Sequence, residues 1–130
     1  MFKLFRIEYS SLNARQKENY NFHKVAGALA EYGYNSMRLN DDWQGADFIA
    51  IKDNEMMKIQ LKGRFTIDKK YIGKKIYIAF IEDGIVKIYF HDDVINSLSE
   101  EITKTKSWRL NGCYSWGKTP KMYRSQILEI

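Results

Sequence analysis

The run IYIAFIEDGIVKIYF, residues 76–90, restricts this chain more tightly than any other stretch of it. Two β-branched and aromatic segments, Ile76 to Ile81 and Ile85 to Phe90, flank Glu82-Asp83-Gly84. An Asp-Gly pair tolerates the positive φ angles of a mirror-image turn, whose twist matches that of paired strands, so this is an antiparallel hairpin. A second hairpin lies in GADFIAIKDNEMMKIQLKGR, residues 45–64. Its first strand is apolar just after Asp47, the chain turns at Asp53-Asn54, and it returns through Met57-Lys58-Ile59. With its turn centred on Asp53-Asn54, facing positions sum to a constant, and Asp47 falls opposite Gln60 with Cβ atoms about 5 Å apart.

Around these hairpins the elements follow from periodicity. Phe22, Val25, Ala26, Leu29 and Tyr32 recur at three- and four-residue spacing, which predicts a helix over about 13–32 with Gly33 as its C-terminal stop. YNSMRL then reads as a short strand, followed by a polar loop, NDDWQG. GRFTIDKKYIGKK is basic and irregular, and HDDVINSLSEEI reads as a helix with acids in its first turn. TPKMYRSQILEI places Thr119 as N-cap and Pro120 at the first position of a last helix. The expectation is an α+β fold: one N-terminal helix on a mixed sheet of about five strands with antiparallel hairpins, then C-terminal helices.

No repeat, low-complexity tract or linker divides the 130 residues, so one domain, 1–130, is expected. No apolar run is long enough to span a membrane, and the opening MFKLFRIEY is broken by Lys3 and Arg6, unlike a signal peptide. Cys113 is the single cysteine, which excludes a disulfide framework or thiolate zinc cluster and suits a reducing, cytoplasmic setting. The excess of 21 basic over 16 acidic residues is compatible with a nucleic-acid partner, and its distribution says more than its size. Eight Lys and Arg fall between Lys52 and Lys75, around and just after the second hairpin.

Side chains alternate along a strand, so Lys58, Gln60, Lys62 and Asp47 share one face while Met57, Ile59 and Leu61 point to the core. Lys62 lies opposite Gly45, where no side chain competes for space. One carboxylate, one amide oxygen and one ammonium thus gather on a hairpin. Such a set suits Mg²⁺ beside a phosphate: Asp47, Gln60 and the Leu61 carbonyl offer oxygens, and Lys62 offers positive charge to a water or a developing oxyanion. An ordinary solvated sheet face with a cross-strand ion pair is the competing reading.

With Asp47 opening one strand and Gln60-Leu61-Lys62 closing the next, behind an N-terminal helix, residues 13–90 resemble the PD-(D/E)XK nuclease superfamily. FHKVAGALAEYGY is also similar to the first helix of that family, which ends in Leu-x-x-x-Gly-Tyr. The resemblance implies a restriction-endonuclease-like core and a Mg²⁺- or Mn²⁺-dependent endonuclease acting on DNA. Asp47 would be the metal-binding aspartate, Gln60 would stand for the second acidic ligand, and Lys62 would be the catalytic lysine. The chain departs from the family at Gln60, as in branches that resemble intron-type and resolvase-like nucleases, and at Phe22, which falls where the helix often carries a glutamate. Glu18 or Asn19, one turn earlier, and Asp42 in the adjoining loop are the auxiliary candidates. A chain of this size has one candidate site, so cutting both strands calls for a homodimer or two visits. A module that keeps the fold and binds nucleic acid without cleaving it is the alternative.

Arg64, Lys69, Lys70, Lys74 and Lys75, interleaved with Phe65 and Tyr71, read either as a track along a phosphate backbone or as a lysine-guarded strand edge. Trp108, Arg109, Tyr114 and Trp116 are candidates for base stacking, for a protein-binding surface, or for packing. His23 and His91 have no partner at metal-ligand spacing and are read as structural or capping residues.

Overall fold

The computed structural model describes residues 1–130. Helix α1 spans Ala14–Ala30 and begins at a complete capping box, in which Asn13 Oδ1 accepts from the Gln16 amide and Gln16 Oε1 accepts from the Asn13 amide. Its core contacts come from Val25 and Leu29, which are buried, with Phe22 and Ala28 beside them; Tyr32 lies beyond the helix and is exposed. Gly33 follows with a φ of 88°, the left-handed conformation that lets the chain leave the helix.

Strands β1 (Asn35–Trp43), β2 (Ala46–Lys52), β3 (Glu55–Leu61), β4 (Thr66–Asp68), β5 (Ile76–Glu82) and β6 (Ile85–Phe90) come next. β1 runs through the stretch predicted to be a polar loop. Its ladder with β2 is regular from Asn35↔Ile51 to Arg38↔Phe48, breaks, and resumes only at Trp43↔Ala46, so the polar residues sit in an interruption of a longer strand. The second hairpin has the expected register, with Lys52↔Glu55 through Phe48↔Ile59. The β5–β6 hairpin likewise pairs Glu82 with Ile85 across Asp83-Gly84, both in positive φ.

The C-terminal half differs most from expectation. HDDVINSLSEEI forms two short helices, α2 (His91–Ile95) and α3 (Glu100–Thr103), rather than one. β7 (Cys113–Ser115) pairs with β4 in a separate two-stranded sheet. The last segment makes a six-residue 3₁₀ turn, Lys121–Gln126, and then strand β8 (Ile127–Glu129), so the expected final α-helix is absent. Thr119 does not cap a helix: its amide and hydroxyl both donate to Glu82 Oε2, at 3.0 Å each.

The fold is α+β, with a six-stranded mixed sheet ordered β1-β2-β3-β5-β6-β8 in which only β3 and β5 are parallel. Each sheet face carries its own core. Phe48, Ala50, Ile59, Ala79, Val86 and Ile88 pack beneath α1, with Met57 and Leu61 half-buried at the margin. Ile76, Ile78, Phe80 and Tyr89 pack on the other face against Phe65, Ile67, Tyr71, Val94, Trp108 and Tyr123. No helix is long and apolar enough to cross a membrane.

Candidate functional site

Asp47 lies one residue before the last paired position of the β2–β3 ladder, Phe48↔Ile59. Its Oδ2 accepts a 2.8 Å hydrogen bond from the Leu61 amide, which locks the carboxylate across the hairpin and leaves Oδ1 without a hydrogen bond from the chain. Burial pushes its carboxyl above the usual range; the Leu61 amide and Lys62 oppose this, and Asp42 and Glu18 reinforce it through their negative charge. A carboxylate held in this way gains from a cation.

Gln60 donates from Nε2 to the Leu61 carbonyl over a long 3.3 Å, while its Oε1 is buried without any hydrogen-bond partner. A buried acceptor left unpaired costs on the order of 1–3 kcal/mol. Oε1 is therefore the atom of this cluster that a cation would satisfy, and the Leu61 carbonyl stands beside it. The set fits a hard divalent ion through one anionic and two neutral oxygens, with water completing its shell. No three His, Cys, Asp or Glu side chains gather as a metal-binding group.

Lys62 is positioned by a residue that sequence reasoning had assigned elsewhere. Its Nζ stands 5.4 Å from the centre of the Tyr71 ring, and the same ring fills the space opposite the hairpin that was expected to be open. A Cβ placed on Gly45 would lie 3.0 Å from Tyr71 Cδ1, and Gly45 has a φ of 90°, so both conformation and space require glycine there. Tyr71 is buried, and burial holds its hydroxyl in the neutral form, helped by Asp68, Asp47 and Asp42.

Asp47, Gln60, Leu61 and Lys62 line an open cleft of about 1050 Å³ bounded by the first turns of α1, the interrupted part of β1, and Gln60 to Gly63. Glu18 and Asn19 line it from α1, and Asp41 and Asp42 from β1. Asp42 Oδ1 accepts from the Gly45 amide at 2.7 Å, so Asp42 is first a turn residue and acts on Asp47 through its charge. Two cations in the cleft, Arg15 and Arg38, were not foreseen. Arg38 stacks on Phe22, which in turn packs edge-on against Phe48 at 5.0 Å. No periodicity signals such a meeting, because the three residues come from three different elements.

Arg64, Lys69, Lys70, Lys74 and Lys75 are all exposed. The aromatics interleaved with them are not: Phe65 and Tyr71 belong to the core. The segment is pinned from beneath, where buried His91 accepts at Nε2 from the Asp68 amide at 3.1 Å and Asp92 accepts from the Gly73 amide at 3.2 Å. Trp108 is buried under Lys69, and Trp116 stacks on Phe65 at 4.7 Å with Tyr114 edge-on against it. Packing is the role of these tryptophans, while Arg109 remains exposed. His23 is also exposed and lies edge-on to Phe22. Comparison of the chain with protein-family models, with curated proteins and with solved structures finds no match in any of the three.

Proposed function

We propose that this protein is a Mg²⁺- or Mn²⁺-dependent nuclease that hydrolyses DNA phosphodiester bonds on a restriction-endonuclease-like core. The observation that carries the reading is the pairing of a fixed carboxylate, Asp47, with the unpartnered amide oxygen of Gln60 beside Lys62 in one open cleft. Asp47, Gln60 and the Leu61 carbonyl would hold the ion. When bound, it polarises the phosphoryl oxygen and makes water a competent nucleophile near neutral pH. Lys62, carried over the Tyr71 ring, orients the attacking water and offsets the charge that builds on the phosphate as the P–O bond to the leaving group breaks. Arg64, Lys69, Lys70, Lys74 and Lys75 extend a basic surface from the end of the cleft along the duplex. On this reading the protein acts as a homodimer where both strands are cut, and its single cysteine, Cys113, suits a reducing, cytoplasmic setting.

A non-cleaving nucleic-acid-binding module is the second reading. It is favoured by the low negative charge of the site, where Gln60 is neutral and Asp47 is the only acid among the three site residues. Supercoiled, linear, branched and single-stranded DNA, and RNA, incubated with Mg²⁺, Mn²⁺ or chelator, separate the two. The nuclease cuts DNA only with metal, and Asp47→Asn abolishes cutting. Metal-independent, salt-sensitive binding without cutting of any substrate establishes the binding module instead.

A further inference from the structure

We infer that Arg38, assisted by Arg15, forms a second anion subsite on the α1 wall of the cleft, which takes a backbone phosphate flanking the scissile one. This inference rests on the nuclease reading above and deepens it. Arg38 occupies the last regular position of the β1–β2 ladder, opposite Phe48, before the ladder breaks. Interruptions of this kind bend a strand and re-aim its side chains. On the Phe48 face the neighbour is Phe22, and the Arg38 guanidinium lies 5.0 Å from the centre of its ring. Its Nη1 donates to the side-chain oxygen of Asn19, one helical turn before Phe22.

Both partners that hold this guanidinium are neutral. No carboxylate lies within ion-pair distance of Arg38 or Arg15, although Glu18, Asp41 and Asp42 line the same cleft. The charge of Arg38 is therefore unspent, and its remaining N–H groups are available to an oxyanion. The Phe22 ring and the Asn19 contact restrict a side chain rich in rotamers, so less freedom is lost when a ligand binds. A guanidinium fork matches two oxygens of one phosphate, and a phosphodiester carries a single negative charge into a cleft that also holds Glu18, Asp41 and Asp42. The cleft is larger than one phosphate group requires, and Arg38 and Lys62 both line it. A strand whose scissile phosphate sits at Asp47 and Lys62 presents a neighbouring phosphate to Arg38.

The test is fluorescence anisotropy of labelled DNA oligonucleotides, titrated in chelator over a salt series, with wild-type protein, Arg38→Gln, Arg38→Lys and Asn19→Ala. Arg38→Gln should weaken binding roughly tenfold, and lower the slope of log K against log salt by about 0.9 on duplex or about 0.7 on single strands. Arg38→Lys should restore the slope without the full affinity, and Asn19→Ala should lose affinity at an unchanged slope. Neutral methylphosphonates placed one at a time along the strand then locate the contact. One flanking position should weaken wild type and leave Arg38→Gln unaffected. The subsite is overturned if Arg38→Gln binds like wild type, or if every methylphosphonate penalises both proteins equally. Metal-dependent cutting by wild type, measured in parallel, keeps the two ideas apart. Cutting with no Arg38 effect removes the subsite alone, whereas wild type that neither binds nor cuts removes the nuclease reading and the subsite with it.

Discussion

Gln60 places an amide where a carboxylate would give a bound cation a second negative charge. Replacing it with glutamate keeps the shape and adds that charge. In Gln60→Glu, Mg²⁺ or Mn²⁺ affinity should rise on the order of tenfold, since ligand charge tunes such sites, with cleavage preserved or raised. Asp47→Asn should lose metal binding, and Lys62→Ala should keep the metal and lose rate. Calorimetric titration of metal into the four proteins reads this directly, and equal, negligible heats in all four would remove the metal site. Tyr71 supplies a second test at this scale. A cation over an aromatic face gains about 0.5–1 kcal/mol, and more when desolvated. Tyr71→Phe keeps the ring under Lys62 and should leave single-turnover cleavage near wild type. Tyr71→Leu should slow that step several-fold with metal affinity unchanged, and identical rates in the two variants would detach Tyr71 from Lys62.

The segment from β4 through the 3₁₀ turn Lys69–Tyr71 is the element that brings Tyr71 to the hairpin, and His91 holds it there. His91 is buried, with Asp92 Oδ1 at 3.6 Å from Nδ1, and Asp68 and Tyr71 also face it. Burial holds its pKa below the ordinary 6.5 in spite of Asp92 and Asp68. In the unfolded chain it titrates normally, so its contribution is complete above about pH 6.5, and is lost as pH falls through that value toward the folded pKa. Protonated, Nε2 can no longer accept from the Asp68 amide. Melting temperature should therefore fall between pH 7 and 5, and His91→Gln, which retains an acceptor and does not titrate, should flatten the curve in that window. Asp47 acts in the opposite sense, since a raised carboxyl pKa makes ionisation destabilising as pH rises. A wild-type curve parallel to that of His91→Gln would show that His91 does not titrate with folding.

Across the whole molecule, a cluster of aromatic side chains packs the C-terminal third against the sheet. Phe65 is fully buried, stacks on Trp116 at 4.7 Å, meets Tyr89 edge-on at 4.8 Å and approaches Tyr123 at 5.5 Å, while its carbonyl accepts from the Trp116 amide. Tyr89 closes the same region through hydrogen bonds between its hydroxyl and both backbone groups of Thr66. Phe65→Ala should cost about 3–5 kcal/mol, lowering the melting temperature by roughly 10 °C or more. Because Phe65 follows Arg64 at the end of the cleft, its loss should also loosen the basic segment, measurable as faster amide exchange over residues 66–75. Unchanged exchange there would mean that the segment is held by His91 and Asp92 alone.

Both hairpins, their registers and helix α1 were legible in the residues, because each depends on contacts within a few positions. The Asp83-Gly84 turn, strand alternation and the three- and four-residue apolar spacing of the helix are local, and local chemistry does not wait for the rest of the fold. The meeting of Asp47, Gln60 and Lys62 followed from that register. The C-terminus was decided otherwise. Thr119-Pro120 is a sound helix start, yet Ile127, Leu128 and Glu129 pair with Tyr89, Ile88 and Lys87 and cover a strand edge that would otherwise stay open. Thr119 is meanwhile taken by Glu82. The break of the β1–β2 ladder after Arg38, the placing of Arg38 over the Phe22 ring and the seating of Tyr71 under Lys62 likewise arise between elements distant in sequence. Only the assembled sheet brings those surfaces together, and propensity summed along a chain has no access to a partner that folding alone supplies.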